Sequence, residues 1–267
     1  MAVWWFRDLI DALLDRRCPG CTGRVARERE ICDACDALIP RSGTVLCLSC
    51  LHADPADPAA VGGACARHGS QRLALVGPRY EPPLDRIVRA FKFEGARRVG
   101  PWLASLLPEP PDHDGALGRE SLVVPVSLHP ARRSRRGFDQ ALLLAEVASA
   151  RWGIPMACAL ERVRDHSPQA GLDPKRRREN VAGAFRCASP TLVRGRTILL
   201  VDDVVTTGST LLEACAALER AGAAWSLGLA ACHGGAPDAA EHESRGAVAG
   251  GGHRVVRSQA RREAPAP

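Results

Sequence analysis

The chain has 267 residues, enough to bury a sizeable core in one or two domains. Its formal net charge of +6 is modest and permits phosphate or nucleic-acid binding without arguing strongly for either. No apolar run approaches the roughly 20 residues that cross a bilayer, and the start, MAVWWFRDLIDALLDRR, is too charged for a signal peptide, so we expect a cytoplasmic protein without membrane insertion.

The first predicted element is an amphipathic helix over the first 16 residues. Apolar side chains such as Trp4, Phe6, Ile10 and Leu14 recur there with helical spacing. We expect this helix to pack on the body of the protein. Together with the cysteine-rich segment that follows, it forms a predicted N-terminal module over residues 1–72.

Cysteines in closely spaced pairs dominate the next segment. The pairs lie in CPGC (Cys18, Cys21), CDAC (Cys32, Cys35), CLSC (Cys47, Cys50) and CARH (Cys65, His68). Two residues between ligands allow a tight turn to point both at one ion, and two such turns complete the tetrahedron that zinc prefers. We therefore predict two structural zinc ions, one on the first two pairs and one on the last two if neighbours pair in sequence. Spacing alone leaves interleaved pairing open.

The apolar content of residues 18–70 is too low for a core of their own, so metal binding is expected to supply folding energy. The remaining cysteines stand singly in apolar surroundings, where we expect small buried side chains. These are Cys158, Cys187, Cys215 and Cys232.

From about residue 73 to residue 233, apolar strands alternate with helical stretches, which is typical of an α/β domain with a parallel sheet. The clearest elements are a strand within 121–130, a helix over 138–152 with Asp139 near its N-cap, a strand over 198–201, a helix over 209–222 and a strand over 225–232. Residues 234–267 hold too few apolar side chains to offset ordering entropy and are predicted to be a disordered tail.

The stretch ILLVDDVVTTGST, residues 198–210, combines two carboxylates, several hydroxyl groups and a glycine that are candidates for ligand binding. Asp202 and Asp203 follow a buried strand, and the carboxyl ends of parallel strands line the crevice where α/β proteins bind ligands. Gly208 permits close approach, and the helix that follows offers an N-terminus that favours anions. These features predict a sugar-phosphate site, with the acids on the sugar. The lysine of nucleotide-hydrolase phosphate loops is absent.

The same stretch resembles the phosphoribosyl-diphosphate (PRPP) signature of type I phosphoribosyltransferases, and the chain resembles the ComF family, competence-associated members of that fold. The matching segments are the cysteine pairs, YEPPLDRIVRAFKFEG (80–95), VVPVSLHPARRSRRGFDQA (123–141), LERVRDHSPQAGLDPKRRRENVAGAF (160–185) and the signature itself. The resemblance implies an α/β fold with a phosphoribosyltransferase-like parallel sheet flanked by helices and a small zinc-ribbon-like module. Ser127 and Asp139 depart from it, since the family usually has proline and asparagine there.

The resemblance also assigns roles. Asp202 and Asp203 would hold the ribose hydroxyls, and Arg164 lies in the mobile-loop region, 162–180, whose cations could close over pyrophosphate. The 5′-phosphate would be held by Thr206, Thr207, Gly208, Ser209 and Thr210. Pyrophosphate would be held by Ser127, Leu128 and His129, with Mg²⁺ bridging ligand oxygens. Lys92, between two phenylalanines, is expected near this site.

Three functions are compatible with these features. The first is phosphoribosyl transfer from PRPP to an unknown acceptor. The second is handling of single-stranded DNA with competence machinery proteins, with PRPP as a regulatory ligand and the basic run RRSRRG (132–137) on DNA phosphates. The third is base salvage, which is less favoured because no base-binding hood can be identified after the last strand.

Overall fold

The computed structural model describes residues 16–51, 53–54, 65, 72–111, 120–164 and 181–234. Four predictions therefore fall wholly or almost wholly outside the described residues: the N-terminal helix, the ligand role of His68, the mobile loop beyond Arg164, and the C-terminal tail. In the described part of the chain, no helix has the length and apolar character needed to span a membrane.

Eight strands form two sheets within the described residues. They are β1 (Thr44–Cys47), β2 (Ala53–Asp54), β3 (Leu73–Val76), β4 (Ser121–Pro125), β5 (Leu160–Arg162), β6 (Phe185–Cys187), β7 (Thr197–Val205) and β8 (Trp225–His233). The main sheet has the order β2-β1-β3-β8-β7-β4, and its strands β3, β8, β7 and β4 run parallel. Strands β5 and β6 pair separately and antiparallel. The mostly parallel sheet confirms the predicted fold class.

Helices connect the parallel strands. The described helices are α1 (Asp33–Ala37), α2 (Leu84–Phe93), α3 (Gly100–Ala104), α4 (Pro130–Arg136), α5 (Gln140–Trp152), α6 (Pro190–Val193) and α7 (Ser209–Arg220), with a 3₁₀ turn at Arg97–Val99. Asp139 is the N-cap of α5, and its Oδ1 accepts a hydrogen bond of 3.2 Å from the Leu142 N–H. This bond satisfies an otherwise unpaired N–H of the first helical turn and confirms the predicted cap.

Both faces of the main sheet are covered. Side chains alternate along β7, so Leu199 and Val201 lie in the core on one face, while Ile198 and Leu200 lie in the core on the other. All four are fully buried. A strand buried on both faces reads as an unbroken apolar run, which explains why ILLV in the sequence shows no alternation.

The cysteine-rich segment is joined to the main sheet. Strand β1 pairs antiparallel with β3, and Cys18, Ile31 and Cys35 share a core with Ile87 and Phe91 of α2. The segment therefore takes part of its core from the main domain, and a contribution of metal binding to its folding stays a prediction. The module boundary at residue 72 stays a prediction.

Two expectations need correction. Strand β7 extends to Val205, so Asp202 and Asp203 lie within its last residues and not after its end; the pairing of Asp202 with Ala230 of β8 continues the ladder past the apolar run. The expectation of buried isolated cysteines is wrong for Cys158, which is exposed although the next residue, Ala159, is fully buried. Cys187 is only partly buried.

Candidate functional site

The acid pair lies at the carboxyl end of β7, near the centre of the parallel sheet. Successive residues of a strand point to opposite faces, so the two carboxylates leave the strand in different directions. Asp203 is buried and Asp202 is partly buried. Oδ1 of Asp202 accepts a hydrogen bond of 2.8 Å from the Asp203 N–H, which fixes the orientation of the first carboxyl group.

Lys92 is a site residue whose partner could not be identified from the sequence. It lies near the end of α2, and its Nζ is 2.9 Å from Oδ1 of Asp203. Burial works to lower the pKa of Lys92, but its interaction with Asp203, together with the nearby Asp202, works in the other direction, and the pKa of Lys92 is raised. Lys92 therefore remains a cation at neutral pH and compensates the charge of a buried carboxylate.

For Asp202, in contrast to Lys92, the pKa shifts in the direction that burial favours. Burial and the neighbouring Asp203 carboxylate raise the pKa of Asp202 to about 7, although Lys92, the Asp203 N–H and Arg162 all work to lower it. Asp202 is therefore poised between its neutral and charged forms near pH 7. Arg162 on β5 was predicted only as the start of the mobile-loop region. Its positive charge is nevertheless close enough to work to lower the pKa of Asp202.

The hydroxyl-rich loop after β7 is shaped by Gly208. This residue caps α7 in the left-handed conformation, with φ of 68°. A Cβ at this position would lie 2.9 Å from the carbonyl oxygen of Leu48, so both the conformation and the close packing require glycine. Oγ1 of Thr207 and Oγ of Ser209 lie 2.9 Å apart across the glycine. Thr206 is exposed and Thr210 is partly buried.

A second loop reaches the same edge of the sheet. Residues 127–129 follow β4, which pairs in parallel with β7, and the Val126 N–H donates a hydrogen bond of 2.8 Å to the Val201 carbonyl. His129 is the N-cap of α4, and its Nδ1 accepts a hydrogen bond of 3.3 Å from the Ala131 N–H. The structure thus brings the acid pair, the hydroxyl loop and the 127–129 loop to one edge, as the sequence predicts for parallel strands.

Arg164 shows no contact with the acid pair among the described residues. It is exposed, and its Nη1 donates a long hydrogen bond of 3.4 Å to the Ala182 carbonyl. A different arginine, Arg136 of α4, is close enough for Asp203 and Asp202 to act on its pKa, which burial lowers. The sequence feature that could have identified Arg136 as a site residue is its position in the basic run after the 127–129 loop.

The cysteines form two clusters. In the first, the sulfur atoms of four cysteines lie within 4.8 Å of one another: Cys18, Cys21, Cys32 and Cys35. In the second, the same limit holds for Cys47, Cys50 and Cys65. None of these cysteines is in a disulfide. Among the described residues the cysteine pairs therefore cluster in sequence order, while His68, the fourth ligand predicted for the second cluster, lies outside them.

The comparisons with known proteins agree with this geometry. Residues 139–249 match the phosphoribosyl transferase domain family. The chain is 35% identical over 208 residues to DNA utilization protein YhgH of Salmonella typhimurium, covering 73% of this chain and 86% of that protein. It is 35% identical to Competence protein F of Haemophilus influenzae over 57% of this chain and 68% of that protein.

The chain belongs to the ComF family. A shorter similarity extends to orotate phosphoribosyltransferase of Methanopyrus kandleri, with 37% identity over 82 residues, 31% of this chain and 36% of that protein. The fold is accordingly that of a phosphoribosyltransferase-type α/β domain, and the matched family segment contains the acid pair and the hydroxyl loop.

One departure from the ComF pattern has a visible structural effect. Oδ2 of Asp139 accepts a hydrogen bond of 3.0 Å from the Leu128 N–H, while Oδ1 caps α5. A backbone N–H in the middle of the candidate pyrophosphate loop is therefore already bonded to a carboxylate. Ser127, the other departure, is partly buried and lies two residues after the end of β4.

The first cysteine cluster has the donor chemistry of a zinc site. Burial and hydrogen bonding to the neighbouring sulfurs raise the pKa of Cys35, while backbone N–H groups outweigh burial and lower the pKa of Cys18 to about 7. Four thiolates this close repel one another unless a cation neutralises them, and a tetrahedral divalent ion does so. Both clusters therefore fit a structural metal ion such as zinc.

Proposed function

We propose that this ComF-family protein binds PRPP with Mg²⁺ at the carboxyl edge of its parallel sheet and transfers the phosphoribosyl group to an acceptor. In this proposal Asp202 and Asp203 hold the ribose hydroxyls and the loop 206–210 holds the 5′-phosphate. Residues 127–129 hold the pyrophosphate, and Arg164 belongs to the loop that closes over it. The phosphoribosyl transferase domain family match supports this ligand class.

One observation carries the proposal. An ion-paired carboxylate, a poised second carboxyl group and a glycine-capped helix N-terminus follow one another on a single strand-to-helix connection. The acids are suited to accept hydrogen bonds from sugar hydroxyls, and the helix N-terminus is suited to a phosphate dianion. Side by side, these two kinds of group suit a sugar that carries a phosphate.

The chemistry needs electrostatic stabilisation more than a strong base. Transfer breaks the bond from ribose C1 to pyrophosphate oxygen, positive charge develops on the sugar, and the acceptor then bonds to C1 while pyrophosphate leaves. Asp203, which is ion-paired with Lys92, and Asp202 lie where they can stabilise that positive charge. Bound Mg²⁺ would neutralise charge on the departing pyrophosphate.

Calorimetric titration of PRPP with and without Mg²⁺ tests the binding proposal. We expect binding that depends on Mg²⁺ and is lost in the Asp202→Asn, Asp203→Asn double variant, with unchanged circular dichroism showing that the variant is folded. Binding that survives the double substitution unchanged would refute the site. Release of pyrophosphate from PRPP in the presence of candidate acceptors then tests turnover.

A second candidate function is handling of single-stranded DNA, with PRPP as a regulatory ligand. The names of the relatives, DNA utilization protein and Competence protein F, support an association with DNA uptake and competence. The structural observation that favours it is α4, seven residues long, which carries Arg132, Arg133, Arg135 and Arg136. The Arg136 guanidinium lies 5.1 Å from the ring centre of Phe93, whose side chain is exposed.

A charged helix beside an exposed aromatic ring is suited to phosphates and to a stacked base. Binding to single strands should therefore weaken steeply with salt, and replacing the three arginines at 132, 133 and 135 by glutamine should reduce that slope by about three. An unchanged slope would remove α4 from the DNA-binding surface. Strand binding unaffected by PRPP would argue against the regulatory form of this function.

A further inference from the structure

We propose that the second cysteine cluster is a metal switch for the phosphate loop, so that metal binding at Cys47, Cys50 and Cys65 and sugar-phosphate binding at the loop around Gly208 strengthen each other. This inference rests on the proposed function, because it assigns the 5′-phosphate of the ligand to that loop.

The contact between the two sites is direct. The turn that links Cys47 to Cys50 contains Leu48, which is fully buried, and is followed by Leu51. A Cβ built on Gly208 would lie 2.9 Å from the Leu48 carbonyl oxygen and 3.1 Å from Cδ2 of Leu51. The backbone of the phosphate loop therefore rests on the backbone of the metal-binding turn.

Packing below the loop extends this contact. Leu46 and Leu48 belong to the same apolar core as Leu211 and Leu218 of α7, and the partly buried Leu51 packs against this core. A close-packed interior transmits displacement, since few voids are available to absorb it. A shift of the turn would therefore move the first turn of α7 and the N–H groups that the helix presents to an anion.

The turn has features of a conformation that a metal ion would maintain. Leu51 has φ of 58°, which is unusual for a residue other than glycine, and its N–H donates a hydrogen bond of 2.7 Å to the Cys47 carbonyl. The Ser49 N–H donates to Sγ of Cys47 at 3.4 Å. Such a conformation persists only where the surroundings enforce it, and ligation of Cys47 and Cys50 by one ion is such a constraint.

The first cluster has a different neighbour, which makes the proposal specific. A Cβ on Gly20, in the turn between Cys18 and Cys21, would lie 3.2 Å from Pro83 and 3.4 Å from Ile87, both at the start of α2. The Arg86 side chain also donates a hydrogen bond of 3.3 Å to the Gly20 carbonyl. The first cluster thus supports α2, and the second supports the phosphate loop.

Ribose 5-phosphate is the probe that isolates this coupling, since it reaches the acid pair and the phosphate loop but carries no pyrophosphate. Coupling between two sites is reciprocal, and typical values are 5- to 150-fold. We expect saturating ribose 5-phosphate to tighten Zn²⁺ binding at the second cluster about tenfold in a competitive chelator titration. Ribose without phosphate is the matched ligand control and should cause no change.

The second measurement uses variants. Cys50→Ser should weaken ribose 5-phosphate binding about tenfold, by the same coupling. Cys158→Ser makes the same substitution at an exposed thiol outside both clusters and should leave binding unchanged. The chelator titration should show one phase for each cluster. A Cys21→Ser variant removes the metal of the first cluster, so the phase that it retains belongs to the second cluster. If Cys50→Ser does not fold, the chelator titration of the wild type is sufficient by itself to test the coupling between the two sites.

The outcomes separate this inference from the proposed function. If ribose 5-phosphate binds but leaves the Zn²⁺ affinity of the second cluster unchanged, the coupling is wrong and the binding site stands. If the zinc-loaded wild type does not bind ribose 5-phosphate, this inference fails, because the loop around Gly208 then does not hold the 5′-phosphate, whereas the PRPP titration still tests the proposed function separately. A second cluster that takes up no Zn²⁺ overturns the coupling alone.

Discussion

Nζ of Lys92 lies 2.9 Å from Oδ1 of Asp203, and this ion pair joins α2 to the carboxyl end of β7. Both side chains are largely buried, with 20% of the Lys92 side chain and 11% of the Asp203 side chain exposed. A buried pair of this kind is costly to break, because the partner that remains keeps an uncompensated charge.

We therefore expect Lys92→Met to lower the free energy of unfolding by about 3 kcal/mol, measured by urea denaturation. The matched control is Arg186→Met, which removes a pair with Glu161 of similar length, 2.7 Å, but with 69% and 51% of the two side chains exposed. That control should cost less than about 1 kcal/mol.

The double variant Lys92→Met, Asp203→Asn tests the cause of the loss. Since it removes both charges, it should recover most of the stability that Lys92→Met loses. If Lys92→Met costs no more than Arg186→Met, the pair is solvated and the electrostatic account of Asp203 is wrong.

The sequence was sufficient to predict which strand ends carry the candidate site. ILLV followed by two acids predicts a buried parallel strand with polar side chains at its carboxyl end, and Asp139 before an apolar helical pattern predicts an N-cap. These inferences depend on local periodicity and on the rule that parallel strands share one edge. The main sheet and the cap of α5 confirm them.

What could not be predicted are contacts between segments far apart in the chain. Lys92 on α2 gives no local signal that its partner is Asp203, and nothing in CLSC indicates that Leu48 packs against Gly208. Strand β1 has only four residues, too few for periodicity to show, and tertiary pairing with β3 determines it. The ion pair of Lys92, the packing of Leu48 and the formation of β1 all depend on tertiary contacts, which local sequence patterns do not encode.

Asp202 should make the stability of the protein depend on pH. Burial and the Asp203 carboxylate raise the pKa of Asp202 to about 7 in the folded chain, above its ordinary value. Between about pH 4 and pH 7 the folded chain holds a proton that the unfolded chain has lost, so this contribution to stability is present at low pH and is lost as pH rises through 7.

The Asp202→Asn variant lacks this titration. We expect its free energy of unfolding, relative to the wild type, to rise between pH 4 and pH 8, by about 1.4 kcal/mol for each unit of pKa shift that the carboxyl group experiences. Urea denaturation across this range measures the difference. A difference that stays flat over the whole range would show that Asp202 is ionised normally.

Metal analysis tests the two clusters. Their donor sets predict about two zinc ions per freshly reduced chain, measured by inductively coupled plasma mass spectrometry. Cys21→Ser should lose one ion and Cys50→Ser the other, because the clusters are separate. Loss of both ions from either variant would contradict separate sites, unless that variant is unfolded, which circular dichroism shows. Folded, reduced wild type with no zinc would contradict both sites.

Asp139→Asn tests the candidate pyrophosphate loop. The carboxylate of Asp139 bonds the Leu128 N–H with one oxygen and the Leu142 N–H with the other. Asparagine is an equally good N-cap but has one acceptor oxygen, so it can keep the cap and release Leu128. It also removes a negative charge beside the expected anion.

We therefore expect Asp139→Asn to bind pyrophosphate with Mg²⁺ about fivefold more tightly, the equivalent of about 1 kcal/mol for one released donor, measured by calorimetry. Its stability should match the wild type, whereas Asp139→Ala, which also loses the cap, should be less stable by about 1 kcal/mol. Because both variants release the Leu128 N–H, both should gain affinity. Unchanged or weaker pyrophosphate binding in a fully stable Asp139→Asn variant would place the pyrophosphate away from Leu128.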